Sequence, residues 1–372
     1  MTHAYYMAEA IQLARKGWYT ARPNPRVGCV LVRDGQLVGQ GAHLKAGEPH
    51  AEVYALRQAG ELAKGADAYV TLEPCSHHGR TPPCAEALIK AGVRRVFVAM
   101  QDPNPLVSGR GVALLEAAGI PVVAGLLEDQ AQALNAGFIQ RMQTGRPRVL
   151  AKQAMSLDGR TAMASGESQW ITGPEARADV QRLRAESCAV VTGIASLLAD
   201  NSRLNVRAPE WADNPDFTQP LRVVLDSQLR TPAQAAIFQQ PGSTLVVTSE
   251  VALANNLQQL QALQAAGAEV TCLPLAASGG LDLSKLLDLL GQRQCNQLLV
   301  EAGARLTGAF VQQQLVDELW LYMAPKFLGH QALGLLEMPG LNTLAACPQM
   351  QVVDVRALGA DWRFQLRPAE SN

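Results

Sequence analysis

Aromatic residues make up only 5% of this 372-residue chain and charged residues 17%, while 48% are apolar, a balance that excludes a disordered, solvated polymer. Lys and Arg (32) nearly cancel Asp and Glu (33). A global attraction to nucleic acid or to an anionic membrane is therefore absent, although a local basic cluster can still take a phosphate on a small molecule. No run approaches the roughly 18 apolar residues of a membrane span. The first ten residues hold no cationic segment followed by an apolar one, so no export signal is expected. The seven cysteines are odd in number and widely scattered, which reads as reduced thiols, some of them metal ligands, and not as a disulfide framework. Internal repeats are missing, and so is a Gly-x-Gly-x-x-Gly after a strand, which excludes a standard dinucleotide-binding unit. What remains is a cytoplasmic enzyme of about two domains, at roughly 150 residues each.

The chain pattern fits two layered α/β domains. Apolar positions recur at helical spacing over 3–16 and stop at Gly17. A β-rich run at 27–32, the turn Asp34-Gly35 and a return through Leu37-Val38-Gly39 predict a hairpin. Helices are expected at 50–59 and 84–91, with strands at 68–72 and 93–99. The polar stretch 141–147, with Gly145 and Pro147, is the expected linker. Beyond it, strands at 148–152, 189–192, 221–225, 244–248, 269–272 and 297–300 alternate with helical patterns, and 208–219 reads as an exposed loop.

Chemistry concentrates in the first half. His50-Ala51-Glu52 opens a helix after Pro49, Cys75 follows Pro74 at a strand end, and Cys84 follows Pro83 at the next helix start. One imidazole and two thiolates leave the fourth tetrahedral position of a zinc ion to water, and water bound there ionises near neutral pH. Helix N-termini favour the thiolate form. Glu52 sits two residues from the histidine, where it can move protons without ligating the metal, and the set is a zinc nucleobase-deaminase signature. A closed structural zinc with His77 or His78 as fourth ligand is the competing reading. In the second half, Leu298–Gly308 reads as a buried strand, a glycine turn and a helix whose first N–H groups suit a pyrophosphate. An ordinary strand–helix turn explains it equally well.

Eight residues separate the cysteines where zinc nucleobase deaminases usually have two. Pro49-His50-Ala51-Glu52-Val53 and the stretch 73–84 resemble the pyrimidine deaminase of riboflavin biosynthesis, as do 22–28 and Gln101-Asp102-Pro103-Asn104-Pro105. The stretches 156–162 and 166–172, and Leu198-Ala199-Asp200 with Leu204 and Arg207, resemble the reductase domain of the same bifunctional family. The resemblance implies a cytidine-deaminase-like three-layer domain over 1–146 and a dihydrofolate-reductase-like domain over 147–372. It assigns His50, Cys75 and Cys84 to zinc, Glu52 to proton transfer, and Asn24, His77 and Arg80 to the deaminase substrate. It places Ala154, Trp170, Ser196, Asp200, Ser227 and the turn Gly303, Ala304, Arg305, Leu306, Thr307, Gly308 at NADPH. Ser168, Arg184, Leu204, Arg207 and Glu301 go to the reductase substrate. The two arginines have fork-shaped donors suited to its phosphate. The implied substrate is a small phosphoribosylaminopyrimidine, with neither nucleic acid nor membrane as partner, and the implied assembly is a homo-oligomer, dimer or tetramer. The family commonly has Asp-Asp-Pro where this chain reads Asp200-Asn201-Ser202, and Asn205 replaces a frequent threonine, so the loop shape there is open. Two other functions stay possible on the residues alone: a nucleotide or tRNA deaminase with an unrelated C-terminal extension, and a non-catalytic zinc-stabilised binding module.

Overall fold

In the computed structural model, which describes residues 1–76, 83–105 and 107–369, Asp34 and Gly35 have φ of 51° and 77°. This left-handed pair matches the twist of the two strands it joins, β1 (Gly28–Arg33) and β2 (Gln36–Ala42). The contacts divide the chain into two units, Met1–Gly145 and Arg146–Asn372. Among the described residues the first unit holds a five-stranded sheet, ordered β2-β1-β3-β4-β5, with β3 (Asp67–Val70), β4 (Arg95–Val98) and β5 (Val122–Ala124) mutually parallel. Successive side chains alternate between its faces. Val30, Val32, Tyr69 and Phe97 pack under α1 (His3–Ala14) and α5 (Glu128–Leu134). Cys29, Leu31, Ala68, Val70, Val96 and Val98 pack under α2 (Ala51–Ala59), α3 (Cys84–Ala91) and α4 (Arg110–Ala117). The result is three layers.

Two glycines set how closely the helices lie on the hairpin. A Cβ at Gly28 would stand 1.9 Å from the Ala10 carbonyl oxygen of α1, and one at Gly41 would stand 2.1 Å from that of Ala51 in α2. Main chain thus rests on main chain at both places, and the start of α2, where His50 lies, is drawn against the sheet.

The first unit ends in α6 (Ala136–Thr144), so most of the stretch expected as linker is helix, and the chain turns only at Gly145, with φ of 76°. Residues 141–144 are the last turn of that helix, half-buried at Arg141 and Met142 and exposed at Gln143 and Thr144, which composition alone does not separate from a linker.

The second unit is built on a nine-stranded sheet ordered β11-β10-β9-β8-β12-β6-β13-β16-β15. Its strands are β6 (Arg148–Ser156), β8 (Ala189–Gly193), β9 (Leu221–Leu225), β10 (Thr244–Thr248), β11 (Ala268–Cys272), β12 (Gln297–Val300), β13 (Glu318–Ala324), β15 (Met350–Leu358) and β16 (Asp361–Pro368). A short pair, β7 (Arg160–Ala162) with β14 (Leu333–Gly334), stands apart. From β11 to β13 the ladder is parallel; β16 pairs antiparallel with β13, and β15 pairs antiparallel with β16 and so runs with the rest. One face carries α7 (Pro174–Glu186), α8 (Ile194–Asp200) and α11 (Leu257–Ala265), following α10 (Glu250–Asn255). The other carries α12 (Leu283–Gln292) and α13 (Ala304–Gln312). The expected loop at 208–219 contains a short helix, α9 (Pro209–Ala212), started by proline at its first position. No described helix is long and apolar enough to cross a membrane.

In the parallel part of the sheet, β8 leads towards β9 and β12 leads towards β13, in opposite directions from two neighbouring strands. A crevice opens at such a divergence, outside the C-terminal strand ends.

Gly28→Ala is expected to lower the stability of the first unit by about 1–3 kcal/mol. For a unit of this size that is a fall in Tm of roughly 4–10 °C, checked by calorimetry.

Candidate functional site

His50 is the N-cap of α2, but its imidazole makes no capping bond. It faces sulfur instead, with Nδ1 3.6 Å from Cys75 Sγ and 3.3 Å from Cys84 Sγ. The three donor atoms all lie within 4.8 Å of one another. Zn–S of about 2.3 Å and Zn–N of about 2.0 Å at tetrahedral angles give an N···S edge of roughly 3.6 Å. The donor set therefore fits a zinc ion in spacing as well as in chemistry. Both cysteines meet the start of α3: the Cys84 N–H donates to Cys75 Sγ at 3.3 Å, and the Ala85 N–H donates to the Cys75 carbonyl at 3.2 Å. Hydrogen bonds from the Cys84 thiol and the His50 ring lower the Cys75 pKa, while the same contact and burial raise that of Cys84.

Glu52 is 3% exposed, and its Oε2 has no hydrogen-bond partner. Burial pushes its pKa up to about 7. A buried carboxylate oxygen without a donor is costly unless a water or ligand supplies one.

Asn24 lies at the same centre through a residue that the sequence reading missed. His43, buried at the end of β2, donates from Nδ1 to the Pro49 carbonyl at 3.2 Å. That fixes Nε2 as the acceptor for Asn24 Nδ2 at 3.1 Å. Burial lowers the His43 pKa, consistent with a neutral ring in this tautomer. The loop beyond Asn24 is clasped by Asn135, which accepts the Arg26 N–H at 2.8 Å and donates to the Arg26 carbonyl at 2.9 Å. His77 and Arg80, named for the same substrate, and His78, considered as a fourth ligand, lie outside the described residues.

In the second unit the candidate residues gather at the C-terminal ends of β6, β8, β9 and β12. Ser196 on α8 accepts the Gly303 N–H at 2.9 Å, joining the two loops that diverge there. A Cβ at Gly303 would sit a tight 3.3 Å from Ser196 Oγ. Asp200 accepts from Ser168 Oγ at 3.3 Å. Ser227 follows Asp226 just beyond β9, and its carbonyl accepts from Ser249 Oγ at 2.8 Å. Trp170 is 63% exposed, with Arg177 stacked 4.6 Å from its ring centroid and Lys326 Nζ donating to its carbonyl at 3.3 Å. The motif 156–162 supports this wall, because Asp158 accepts from Ser156 Oγ and from the N–H groups of Leu328 and Gly329, which brings its pKa down to about 2.

The surroundings of several of these residues are defined at the level of individual atoms. Thr307 and Gly308 lie inside α13: Thr307 Oγ1 accepts from Gln153 Nε2 at 2.5 Å, and a Cβ on Gly308 would meet the Glu337 carbonyl at 2.1 Å. The N–H groups of Ala304, Arg305 and Leu306 form the first turn of α13, the part of a helix suited in general to an anion. Arg184 directs its fork at Glu301, with Nε–Oε1 at 2.5 Å and Nη2–Oε2 at 2.9 Å, and Nη1 donates to the Asn205 carbonyl at 3.1 Å. Arg207 is the exposed cation of the two; its Nη1 reaches Asn205 Oδ1 at 3.1 Å. Leu204 has φ of 51° and is 3% exposed, its side chain packed in the core. Asn201 resolves the question of the Asp200-Asn201-Ser202 departure. It ends α8 at φ of 45°, a left-handed conformation that asparagine tolerates, and its Oδ1 accepts the Ala236 N–H at 2.9 Å.

Lys152 on β6 was also missed. The charges of Glu301, Arg184 and Asp200 all act on it, and burial lowers its pKa. Its strand also carries Arg148, Gln153 and Ser156, so the sequence offered no distinct signal for it.

The family profile of the cytidine and deoxycytidylate deaminase zinc-binding region matches residues 1–100, and that of the RibD C-terminal domain matches 147–364. The riboflavin biosynthesis protein RibD of Escherichia coli is 52% identical over 368 residues, covering 97% of this chain and 98% of its own. The chain belongs to the RibD family. The RibD protein of Haemophilus influenzae is 48% identical over 370 residues, 98% of this chain and 96% of its own. Among solved structures, Acinetobacter baumannii RibD (form 1) superposes with a TM-score of 0.91 at 48% identity, covering 99% of each chain. A Thermotoga maritima diaminohydroxyphosphoribosylaminopyrimidine deaminase/5-amino-6-(5-phosphoribosylamino)uracil reductase superposes with a TM-score of 0.83 at 31% identity, covering 98% of each. As a RibD chain the protein is a deaminase and a reductase of riboflavin biosynthesis in one polypeptide, with a zinc-binding deaminase domain of cytidine-deaminase-like fold and a dihydrofolate-reductase-like domain. A deaminase with an unrelated C-terminal extension and a non-catalytic zinc module both fall away.

Burial works against charge on Glu301, yet Arg184 outweighs it and holds the carboxyl below its ordinary range. A depressed carboxylate contributes stability above its unfolded pKa, about 4.3, and that contribution is lost as pH falls through the lower folded value. The Tm of the reductase domain should therefore drop as pH is lowered from about 5 to 3. Glu301→Gln should lower Tm at pH 7 and flatten that acid dependence, read by differential scanning calorimetry across pH.

Proposed function

We propose that residues 1–146 deaminate 2,5-diamino-6-(5-phosphoribosylamino)pyrimidin-4(3H)-one, and that residues 147–372 then reduce the ribosyl side chain with NADPH to give 5-amino-6-(5-phosphoribitylamino)uracil. The observation that carries this reading is the meeting of His50, Cys75 and Cys84 beside the buried, partnerless Oε2 of Glu52. Identity to the Thermotoga protein along the whole chain supports the choice of substrate.

One zinc ion per chain, held by the three donors, would leave a position for water and lower its pKa. Glu52 takes a proton from the attacking water and passes protons to the ring nitrogen and the departing amine, so that the C–N bond breaks and ammonia leaves. The water supplies the oxygen of the new carbonyl. Asn24, oriented by the neutral His43 ring, holds the pyrimidine together with His77 and Arg80.

In the reductase domain, NADPH would supply a hydride to the ribosyl carbon. Ala154, Trp170, Ser196, Asp200, Ser227 and the first turn from Gly303 to Leu306 hold the cofactor. Ser168, the Arg184–Glu301 pair, the main chain at Leu204 and Arg207 hold the substrate. Arg207 is the better phosphate ligand, because Arg184 already holds a carboxylate. A homo-oligomeric, cytoplasmic enzyme belongs to the same reading.

The test is ammonia release from the diaminopyrimidine, followed by loss of nicotinamide absorbance on adding NADPH. Glu52→Gln should cut ammonia release by roughly 10²–10⁴-fold while NADPH oxidation on pre-deaminated substrate stays within twofold; survival of both activities would refute the proton-transfer role. Zinc chelation should have the same selectivity. Arg207→Ala should raise the reductase KM about tenfold or more for the phosphorylated substrate and leave KM for a dephosphorylated analogue unchanged. An equal effect on both would remove the phosphate role.

A further inference from the structure

Glu73, two residues before Cys75, is 3% exposed, and both oxygens of its carboxylate are occupied by main chain. Oε2 accepts the N–H groups of Asp102 at 3.2 Å and Gly109 at 3.0 Å. Oε1 accepts those of Gly111 at 2.9 Å and Val112 at 3.2 Å. Gly111 and Val112 lie in the first turn of α4, whose own N-cap, Gly109, has no side chain and whose first turn holds no acidic residue. Helix α4 is thus capped by a carboxylate brought from the end of another element. The segment 101–105, which the sequence analysis singled out and the mechanism leaves without a role, is tied to the same carboxylate through Asp102.

The next residue along the chain makes the tie rigid. A Cβ at Gly111 would fall 1.9 Å from the Pro74 carbonyl oxygen, so the start of α4 rests directly on the peptide that leads into Cys75. The Glu73 N–H donates to the Met100 carbonyl at 3.0 Å, which fixes the strand end on its other side. Cys75 itself meets α3 through Ala85 and Cys84. The turn Glu73-Pro74-Cys75 is therefore held between the N-termini of two helices, and among the described residues Glu73 supplies its hydrogen bonds to α4.

We propose that Glu73 is a positioning residue of the zinc site: by anchoring the Pro74-Cys75 turn to the start of α4, it sets the Cys75 sulfur relative to His50 and Cys84. This rests on the zinc reading above. A glutamine at 73 keeps the size but turns an amide N–H₂ towards main-chain donors, leaving two buried N–H groups without an acceptor. Outer residues that orient metal ligands typically change metal affinity by about 10–100-fold.

The experiment compares full-length wild type, Glu73→Gln and Glu73→Asp. Each zinc-loaded protein is titrated with a chromophoric chelator, each cobalt-substituted protein is examined by absorption, and each Tm and far-UV circular dichroism is recorded. The expected result for Glu73→Gln is a native dichroism spectrum, a zinc Kd raised about 10–100-fold and altered cobalt d–d bands, with NADPH oxidation unchanged. Glu73→Asp, which keeps the charge on a shorter arm, should fall between the two, and it decides the question if the glutamine variant does not fold. A folded variant with lowered Tm but wild-type zinc affinity and cobalt spectrum would overturn the proposal and reduce Glu73 to a helix cap. Wild type that holds no zinc would instead overturn the zinc reading itself.

Discussion

The distance between one imidazole nitrogen and two sulfurs governs the whole first unit. Donor atoms from 50, 75 and 84 can share a cation only if α2, α3 and the end of β3 converge within a few ångströms. Glycines at 28 and 41 remove the side chains that would hold the helices away from the hairpin, and the α3 N-terminus receives both cysteines. Small residues line that face accordingly: Ala51, Ala55, Ala59, Ala68 and Ala85 form much of the core beneath the site. A core of larger side chains would separate the same ligands.

The reductase domain solves a different problem. Its candidate residues hold no closed cluster of metal donors; they line strand ends at a divergence of the sheet, where helix α13 presents its first N–H groups. Charge there is paired before any ligand arrives, as Arg184 with Glu301 shows. Pairing keeps a buried cation and a buried anion affordable and leaves Arg207, at the rim, as the cation with exposure to solvent.

Short-range signals in the sequence were accurate where the physics is local. Asp34-Gly35 defines a turn because left-handed backbone is needed at both positions, and Pro83-Cys84 opens a helix within a residue of where periodicity puts it. Signals failed where neighbours decide. The last turn of α6 read as a linker. The final strands β15 and β16 went unread; the edge strand β15 mixes exposed apolar residues such as Val352 and Val353 with charges and shows little burial pattern.

The sequence by itself determined the chemistry on offer: an imidazole, two thiolates and a carboxylate in a zinc-deaminase pattern, and two α/β domains in succession. Those facts reside in side-chain identity and short spacing. Only the tertiary structure decided who serves whom. It put His43 behind Asn24 and Glu73 beneath Cys75, joined Arg184 to Glu301 across 117 residues of chain, and brought Lys152 into their field. Pairings of that kind depend on which strand ends the sheet order makes neighbours, and no local spacing encodes them.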